Sequence, residues 1–127
     1  MTTAAQAPGL DPEDAKLVTL ARSARVRSVA GDGLAAEGAA VRDETGRTYV
    51  AATVVRGPLR LPALHLAVAS ALASGARSFE AAAVVTAEVE PAGVDVLAAV
   101  GAPVLVVAGP DGTVRSAQPE ASVKPES

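Results

Sequence analysis

Apolar residues recur at helical spacing in three segments of the chain, and this spacing predicts three helices. The first helix begins at Pro12, because Asp11 suits the N-cap and Pro the first helical position. The second helix spans about Pro62 to Ser74, and a short third helix opens at Pro91. We expect the inward stripes to be Leu17, Leu20, Ala21, Ala24 and Val29, then Leu61, Leu64, Val68 and Leu72, then Val94, Leu97 and Val100.

Runs of β-forming residues bounded by Gly, Pro and Asp predict five strands. These runs are residues 38–42, 47–55, 81–86, 103–108 and 113–115. The first two form a hairpin around an acidic turn, and Gly57 and Pro58 end it. The third and fourth are apolar on both faces, as buried strands of parallel sheets are. Since strands alternate with helices, we predict an α/β protein, a three-layer α/β/α sandwich with a mixed five-stranded sheet.

The elements occupy one domain, residues 10–116, between two polar segments that we expect to be disordered tails, residues 1–9 and 117–127. The first segment has neither the basic region nor the apolar run of a secretory signal. No stretch reaches the roughly 18 apolar residues that a membrane span requires. We therefore expect a cytoplasmic protein that does not bind membranes.

Composition excludes several kinds of chemistry. The 127 residues include no Cys, no Trp and one His, His65, so disulfides, thiolate zinc sites, Cys nucleophiles and multi-histidine metal clusters are excluded. A net charge of −3 with one Tyr and one Phe argues against a nucleic-acid partner. The apolar residues are mostly small, with 30 Ala and 19 Val. Because small side chains bury little area, we expect a homo-oligomer.

Two groups of arginines are candidate contact surfaces for an anion or a protein partner. Ordinary solvated charge is the interpretation that we favour for both groups, and a contact surface is the alternative. The first group, on the first helix, is Arg22, Arg25 and Arg27. The second group flanks Gly57 and Pro58 and is Arg56 and Arg60. We expect Tyr49 and Phe79 to fill the core or an interface rather than stack on a ligand.

Several short strings, in this order, resemble the cytidine deaminase family over about residues 10–115. Glu37–Val41 resembles that family's V-G-A-A first strand, and Ala67–Gly75 resembles its A-V-x-x-A-V-S-E-G helix. Phe79–Thr86 is similar to the next strand, and Pro91 stands where the family's P-C-x-x-C helix begins. The resemblance implies a cytidine deaminase-like fold, a hydrolase or nucleoside-related role, and assembly as dimers or tetramers.

The resemblance also identifies where a zinc site would lie. In zinc deaminases one His or Cys and two Cys bind Zn²⁺, and a nearby Glu transfers the proton. The first ligand and the Glu correspond to Pro62 and Leu64, and the two Cys correspond to Ala92 and Asp95. The ribose-binding N-x-E-N stretch aligns with residues 53–56. We therefore expect no catalytic or metal-binding residue and no zinc, but a vestigial pocket of Thr53, Val55, Pro62, Leu64, Ala92 and Asp95.

These observations support three functional hypotheses. The first is a cytidine deaminase-like protein without the zinc and Glu site, a non-catalytic binding or scaffolding homo-oligomer. The second is a diverged nucleoside deaminase or hydrolase with a rebuilt site, for which Asp95, Glu88 and Glu90 supply the carboxylates. The third is an interaction subunit that uses its arginines. We expect His65 to lie on a helix surface or interface, because no Glu stands at position 67.

Overall fold

The computed structural model describes residues 10–118. Its helices are α1 (Pro12–Arg25), α2 (Ala63–Ala73) and α3 (Asp95–Val100). Its strands are β1 (Glu37–Asp43), β2 (Thr48–Ala52), β3 (Val54–Arg56), β4 (Leu59–Leu61), β5 (Phe79–Thr86), β6 (Leu105–Ala108) and β7 (Val114–Gln118). No helix in this range is both long and apolar enough to cross a bilayer. The predicted tails lie outside the described residues, apart from Ala117 and Gln118, which belong to β7.

Five strands form one mixed sheet in the order β2-β1-β5-β6-β7. Strands β5 and β6 are parallel and every other pair is antiparallel, while β3 and β4 form a separate hairpin. Helix α1 covers one face of the sheet, and α2 and α3 cover the other. The predicted three-layer sandwich with a mixed five-stranded sheet is therefore confirmed.

From Ala81 to Val85, strand β5 is apolar and buried on both faces, since helices cover both sides of the sheet there. Ala82 and Val84 pack on the side of α2, and Ala83 and Val85 pack on the side of α1. Next to β5, α1 approaches β1 so closely that a Cβ at Gly38 would overlap the carbonyl oxygen of Ala21. Small residues thus allow the layers to approach closely.

Two aspartate side chains stabilise the start of α1 and the turn between β1 and β2. Asp11 Oδ1 accepts the Glu13 N–H at 2.7 Å at the start of α1, as expected. In the β1–β2 turn, the Asp43 carboxylate accepts hydrogen bonds from Thr45, Arg47 and Tyr49. Burial alone would raise the pKa of Asp43, but these hydrogen bonds outweigh it and lower the pKa to about 2. Phe79 is buried in the core, and the half-buried Tyr49 packs against the same core cluster. Both rings therefore fill the core, as predicted.

Some sequence predictions were wrong in detail. Val29 does not extend α1, because the helix ends at Arg25. Val29 instead lies opposite Val54 in a parallel bridge, in which the Val29 N–H donates to the Thr53 carbonyl and the Val29 carbonyl accepts the Val55 N–H. The predicted strand 47–55 is divided at Thr53, and Gly57 and Pro58 turn into a further strand, β4. Leu72 and Val94 were placed in the core but are exposed. The inward face of α2 is formed mainly by Ala63, Leu64, Ala67, Val68 and Ala71.

Candidate functional site

Two of the predicted pocket positions, Pro62 and Asp95, lie where α2 and α3 begin. Pro62 is the N-cap residue of α2, and Asp95 is the first residue of α3. Between them lies Gly93, whose φ of +76° favours glycine. A Cβ at Gly93 would lie 2.8 Å from His65 Cδ2 and 3.0 Å from Pro62 Cβ. The loop before α3 is therefore seated directly on the start of α2, in an arrangement that we call the α2–α3 junction.

A histidine–carboxylate pair bridges this junction. His65 Nε2 lies 3.0 Å from Asp95 Oδ1. This hydrogen bond is the main reason that the pKa of Asp95 falls below its usual value. The His65 side chain is half-buried and Asp95 is exposed. As predicted, His65 lies at the helix surface, but sequence reasoning did not identify its partner.

The most buried acid of the junction is Glu37, which sequence analysis did not identify as a site residue. The residue is 1% exposed, and its carboxylate accepts hydrogen bonds from the Thr86 hydroxyl at 2.7 Å and the Ala92 N–H at 3.2 Å. Burial has the largest effect on Glu37 and raises its pKa, although both hydrogen bonds and Arg25 act in the opposite direction. The available signal was a Glu that opens a strand and is followed by four small or apolar residues, Gly38–Val41.

Thr53 and Val55, the positions aligned with the ribose-binding stretch, have structural contacts. The Thr53 hydroxyl is buried, accepts the Glu37 N–H at 3.0 Å and donates to the Ala35 carbonyl at 2.9 Å. The Val55 N–H donates to the Val29 carbonyl at 2.8 Å. These bonds tie β1 and β3 to the segment after α1.

Three of the five candidate arginines donate side-chain hydrogen bonds to backbone carbonyls of loops. Arg22 donates to the Pro110 carbonyl at 3.1 Å, Arg25 to that of Ala36 at 3.0 Å, and Arg60 to that of Asp32 at 2.7 Å. Arg27 and Arg56 are exposed and make no side-chain hydrogen bond or ion pair within residues 10–118. Neither group therefore forms a continuous cationic surface of unused guanidinium groups.

Comparison with known proteins identifies the fold family. The family model described as cytidine deaminase-like matches residues 10–112. The chain belongs to this family. A cytidine deaminase from Burkholderia pseudomallei is similar in structure, with a TM-score of 0.69 and 28% identity, over 88% of this chain and 96% of that one. A cytidine deaminase from Mycobacterium leprae gives a TM-score of 0.64 at 22% identity, over 91% of this chain and 100% of that one. No curated protein matches.

The residues at the junction do not fit the zinc that the cytidine deaminase-like family implies. A catalytic zinc needs three protein ligands, and the family's set is rich in thiolates. Within residues 10–118, no three His, Cys, Asp or Glu side chains are grouped so that they could hold a metal ion. Leu64, which the sequence resemblance aligns with the proton-transferring Glu, is fully buried in the core. The ionisable residues His65, Asp95 and Glu37 hydrogen-bond to protein groups instead.

Proposed function

We propose that this cytidine deaminase-like protein is a non-catalytic binding or scaffolding protein that acts as a homo-oligomer. The observation that carries this proposal is the closed α2–α3 junction. Glu37, Thr86 and Leu64 are each at most 1% exposed. The Glu37 carboxylate is held by Thr86 and Ala92. A substrate atom must come within about 3 Å of a group that transfers its proton, so a sealed carboxylate cannot serve as that group.

The chemistry at the equivalent positions also supports the proposal. Hydrolytic deamination needs an activated water and a proton carrier beside it. Pro62, Leu64 and Ala92 have no side-chain atom that could ligate a metal or transfer a proton. Asp95 alone could ligate, and its carboxylate faces His65.

The outer face of α2 supports the oligomer. The helix has no charged residue in its first or last turn, and its exposed residues are Ala69, Ser70, Leu72 and Ala73. A helix that is apolar all round is normally buried. Because three of these four side chains are no larger than serine, a second copy can approach closely about a twofold axis. We therefore propose this face as the contact between copies.

Metal analysis and a deamination assay test the proposal. The purified protein, expressed in zinc-supplemented medium, is expected to contain far less than one zinc per chain and to form no uridine from cytidine. The B. pseudomallei cytidine deaminase, prepared in the same way, serves as the positive control. One zinc per chain together with uridine production would overturn the non-catalytic role.

A second candidate is a hydrolase with a rebuilt site, and the His65–Asp95 pair favours it. An imidazole oriented by a carboxylate is a common general base, and this one is partly exposed. Glu88 and Glu90 lie exposed on the loop after β5, near the junction loop. Release of base or ammonia from a nucleoside panel, abolished by H65A and D95N but not by E13Q, would establish this alternative.

We also propose a cytoplasmic location and partners other than nucleic acid or membranes. The net charge of −3 supports the exclusion of nucleic acid, because phosphate backbones select basic surfaces. Fractionation of the native host is the test, and recovery of the protein with membranes or chromatin would contradict it.

A further inference from the structure

A groove of about 540 Å³ lies on the face of the sheet that α2 and α3 cover, beside α3 and away from α2. It opens between α3 and strands β6 and β7, whereas α2 packs on β1 and β2. Its floor includes Leu97, Leu105 and Val107. The volume lies within the range of about 300–1,000 Å³ that is typical of small-molecule sites.

The charged groups of this groove lie at one end. Strands β5 and β6 are parallel, so the loop that follows β5 and carries Glu90 lies at the carboxyl ends of both strands. Because β7 runs antiparallel to β6, it begins at that end, and Arg115 is its second residue. Arg115 Nη2 donates to the Glu88 carbonyl at 2.6 Å, so its guanidinium reaches this loop.

The other end of the groove is apolar. Ala102 and Pro103, which precede β6, line it there. Within residues 10–118, Glu90 and Arg115 form no ion pair with each other or with another side chain. The groove thus presents one cation and one anion beside an apolar floor, at the strand ends where ligands of α/β folds commonly bind.

We propose that this groove binds a free α-amino acid with a large apolar side chain. Arg115 binds the carboxylate, Glu90 binds the ammonium group, and the side chain lies on Leu97, Leu105 and Val107. A ligand with one net charge would be repelled by one of the two residues, whereas a zwitterion satisfies both. The groove shares the loop before α3 with the α2–α3 junction, but Pro62, His65 and Asp95 do not line it, so the proposal goes beyond the proposed function and does not depend on it.

Nuclear magnetic resonance titration of the full-length ¹⁵N-labelled protein with L-leucine and L-phenylalanine tests the ligand class. We expect chemical-shift changes at the amides of Leu97, Leu105, Val107 and Arg115. N-acetyl-L-leucine lacks the ammonium charge and L-leucinamide lacks the carboxylate, so each should bind at least about tenfold more weakly. Equal binding of either analogue would overturn the zwitterion assignment.

Matched variants test the site itself. R115Q and E90Q should each weaken leucine binding by about tenfold or more, because each removes one charge-assisted contact. S116F should abolish binding by filling the groove, with thermal unfolding used to verify the fold. R56Q and E13Q are the controls, since these exposed residues do not line the groove. No shifts, shifts centred on the α2–α3 junction, or unchanged binding by R115Q and E90Q would each overturn the proposal. The zinc and uridine assays are independent of every outcome.

Discussion

Gly93 is the residue on which the closure of the α2–α3 junction depends most directly. Its φ is +76°, and a Cβ added there would lie 2.8 Å from His65 Cδ2 and 3.0 Å from Pro62 Cβ. Any side chain there meets two obstacles, the backbone conformation and the neighbouring atoms. The His65 ring is hydrogen-bonded to Asp95 at 3.0 Å, so moving it away from an added side chain would strain that bond.

We predict that G93A destabilises the protein more than G101A. Gly101 has a similar φ of +70°, but a methyl group added there would have no neighbouring atom within 4 Å, so G101A isolates the backbone cost of about 1–2 kcal/mol. Crowding should add about 1 kcal/mol or more for G93A. Urea unfolding measures both, and H65A should relieve part of the G93A cost in a double-mutant cycle. Equal costs for the two alanines would mean that the junction is not tightly packed.

Glu37 provides a prediction of pH dependence. Its pKa is raised in the folded state, chiefly by burial, with a smaller effect in the same direction from Glu88. A raised carboxylate pKa means that folding favours the protonated form. The stability that this form contributes is complete below the unfolded pKa of about 4.3 and is lost as pH rises through the folded pKa.

E37Q should therefore gain in thermal stability relative to the wild type as pH rises from 4 to 8. The amide is uncharged, and its oxygen can still accept from Thr86 or Ala92. Differential scanning calorimetry across that range measures the difference, with the exposed E13Q as the control. A constant difference between wild type and E37Q at every pH would show that the buried carboxylate is not the cause.

At the scale of elements, the contact between α1 and β1 is set by a single glycine. A Cβ at Gly38 would overlap the Ala21 carbonyl oxygen and lie 2.6 Å from the Arg25 nitrogen. Both obstacles are backbone atoms of one helix, so only a displacement of α1 could relieve them. Helix α1 also covers β5, and its displacement would therefore open one whole face of the sheet.

G38A is expected to cost more than about 4 kcal/mol, which exceeds the usual effect of a point mutation and is sufficient to unfold many domains. The matched control is G31A, where the nearest atom is 3.7 Å from the added methyl and φ is not positive. Soluble yield and circular dichroism distinguish the two. A G38A protein with wild-type stability would contradict the close approach of α1 to β1.

Local signals explain which elements were predictable. Asp11 and Pro12 mark the start of α1, and Gly75 and Gly101, both with positive φ, come directly after the last turns of α2 and α3. Strand β4 was missed because Gly57 and Pro58 indicate a turn but do not distinguish a returning strand from a loop. Leu72 was placed in the core by its spacing, yet α2 buries mostly alanines instead. The spacing of apolar residues along the sequence identifies the faces of a helix. Where two faces are apolar, the packing of the helix against the sheet decides which of them is buried.

The candidate site was predictable only in part, for a related reason. Motif spacing indicated Pro62 and Asp95, and the structure brings these positions together through His65 and Gly93. Glu37 was missed because its partners, Thr86 and Ala92, are 49 and 55 residues away in sequence. Contacts of this range are created by the strand order, and no local pattern of residues encodes them.

At the scale of the whole molecule, the small side chains leave the domain with less buried apolar area than a core rich in Leu and Phe would provide. Many of the fully buried residues are alanines. At about 25 cal/mol per Å², each contributes little. Exposed apolar residues on α2 offer area that a second copy could bury, and burial between copies adds to stability by mass action.

The decisive residue on this face is Leu72, which is 48% exposed. Full burial of a leucine side chain stabilises by about 1.5–3 kcal/mol, so burying the exposed half of Leu72 stabilises by about 0.7–1.5 kcal/mol in each copy, and a twofold contact does this in both copies. L72K should therefore raise the dimer dissociation constant by about tenfold to a hundredfold, since each 1.4 kcal/mol is a factor of ten. V26K is the control, because Val26 is 85% exposed but lies beyond the end of α1. Sedimentation velocity over a concentration series should show L72K dissociating where the wild type and V26K remain associated, with circular dichroism confirming that all three are folded. A wild type that sediments as a monomer at every concentration would refute the contact and remove the homo-oligomer from the proposed function.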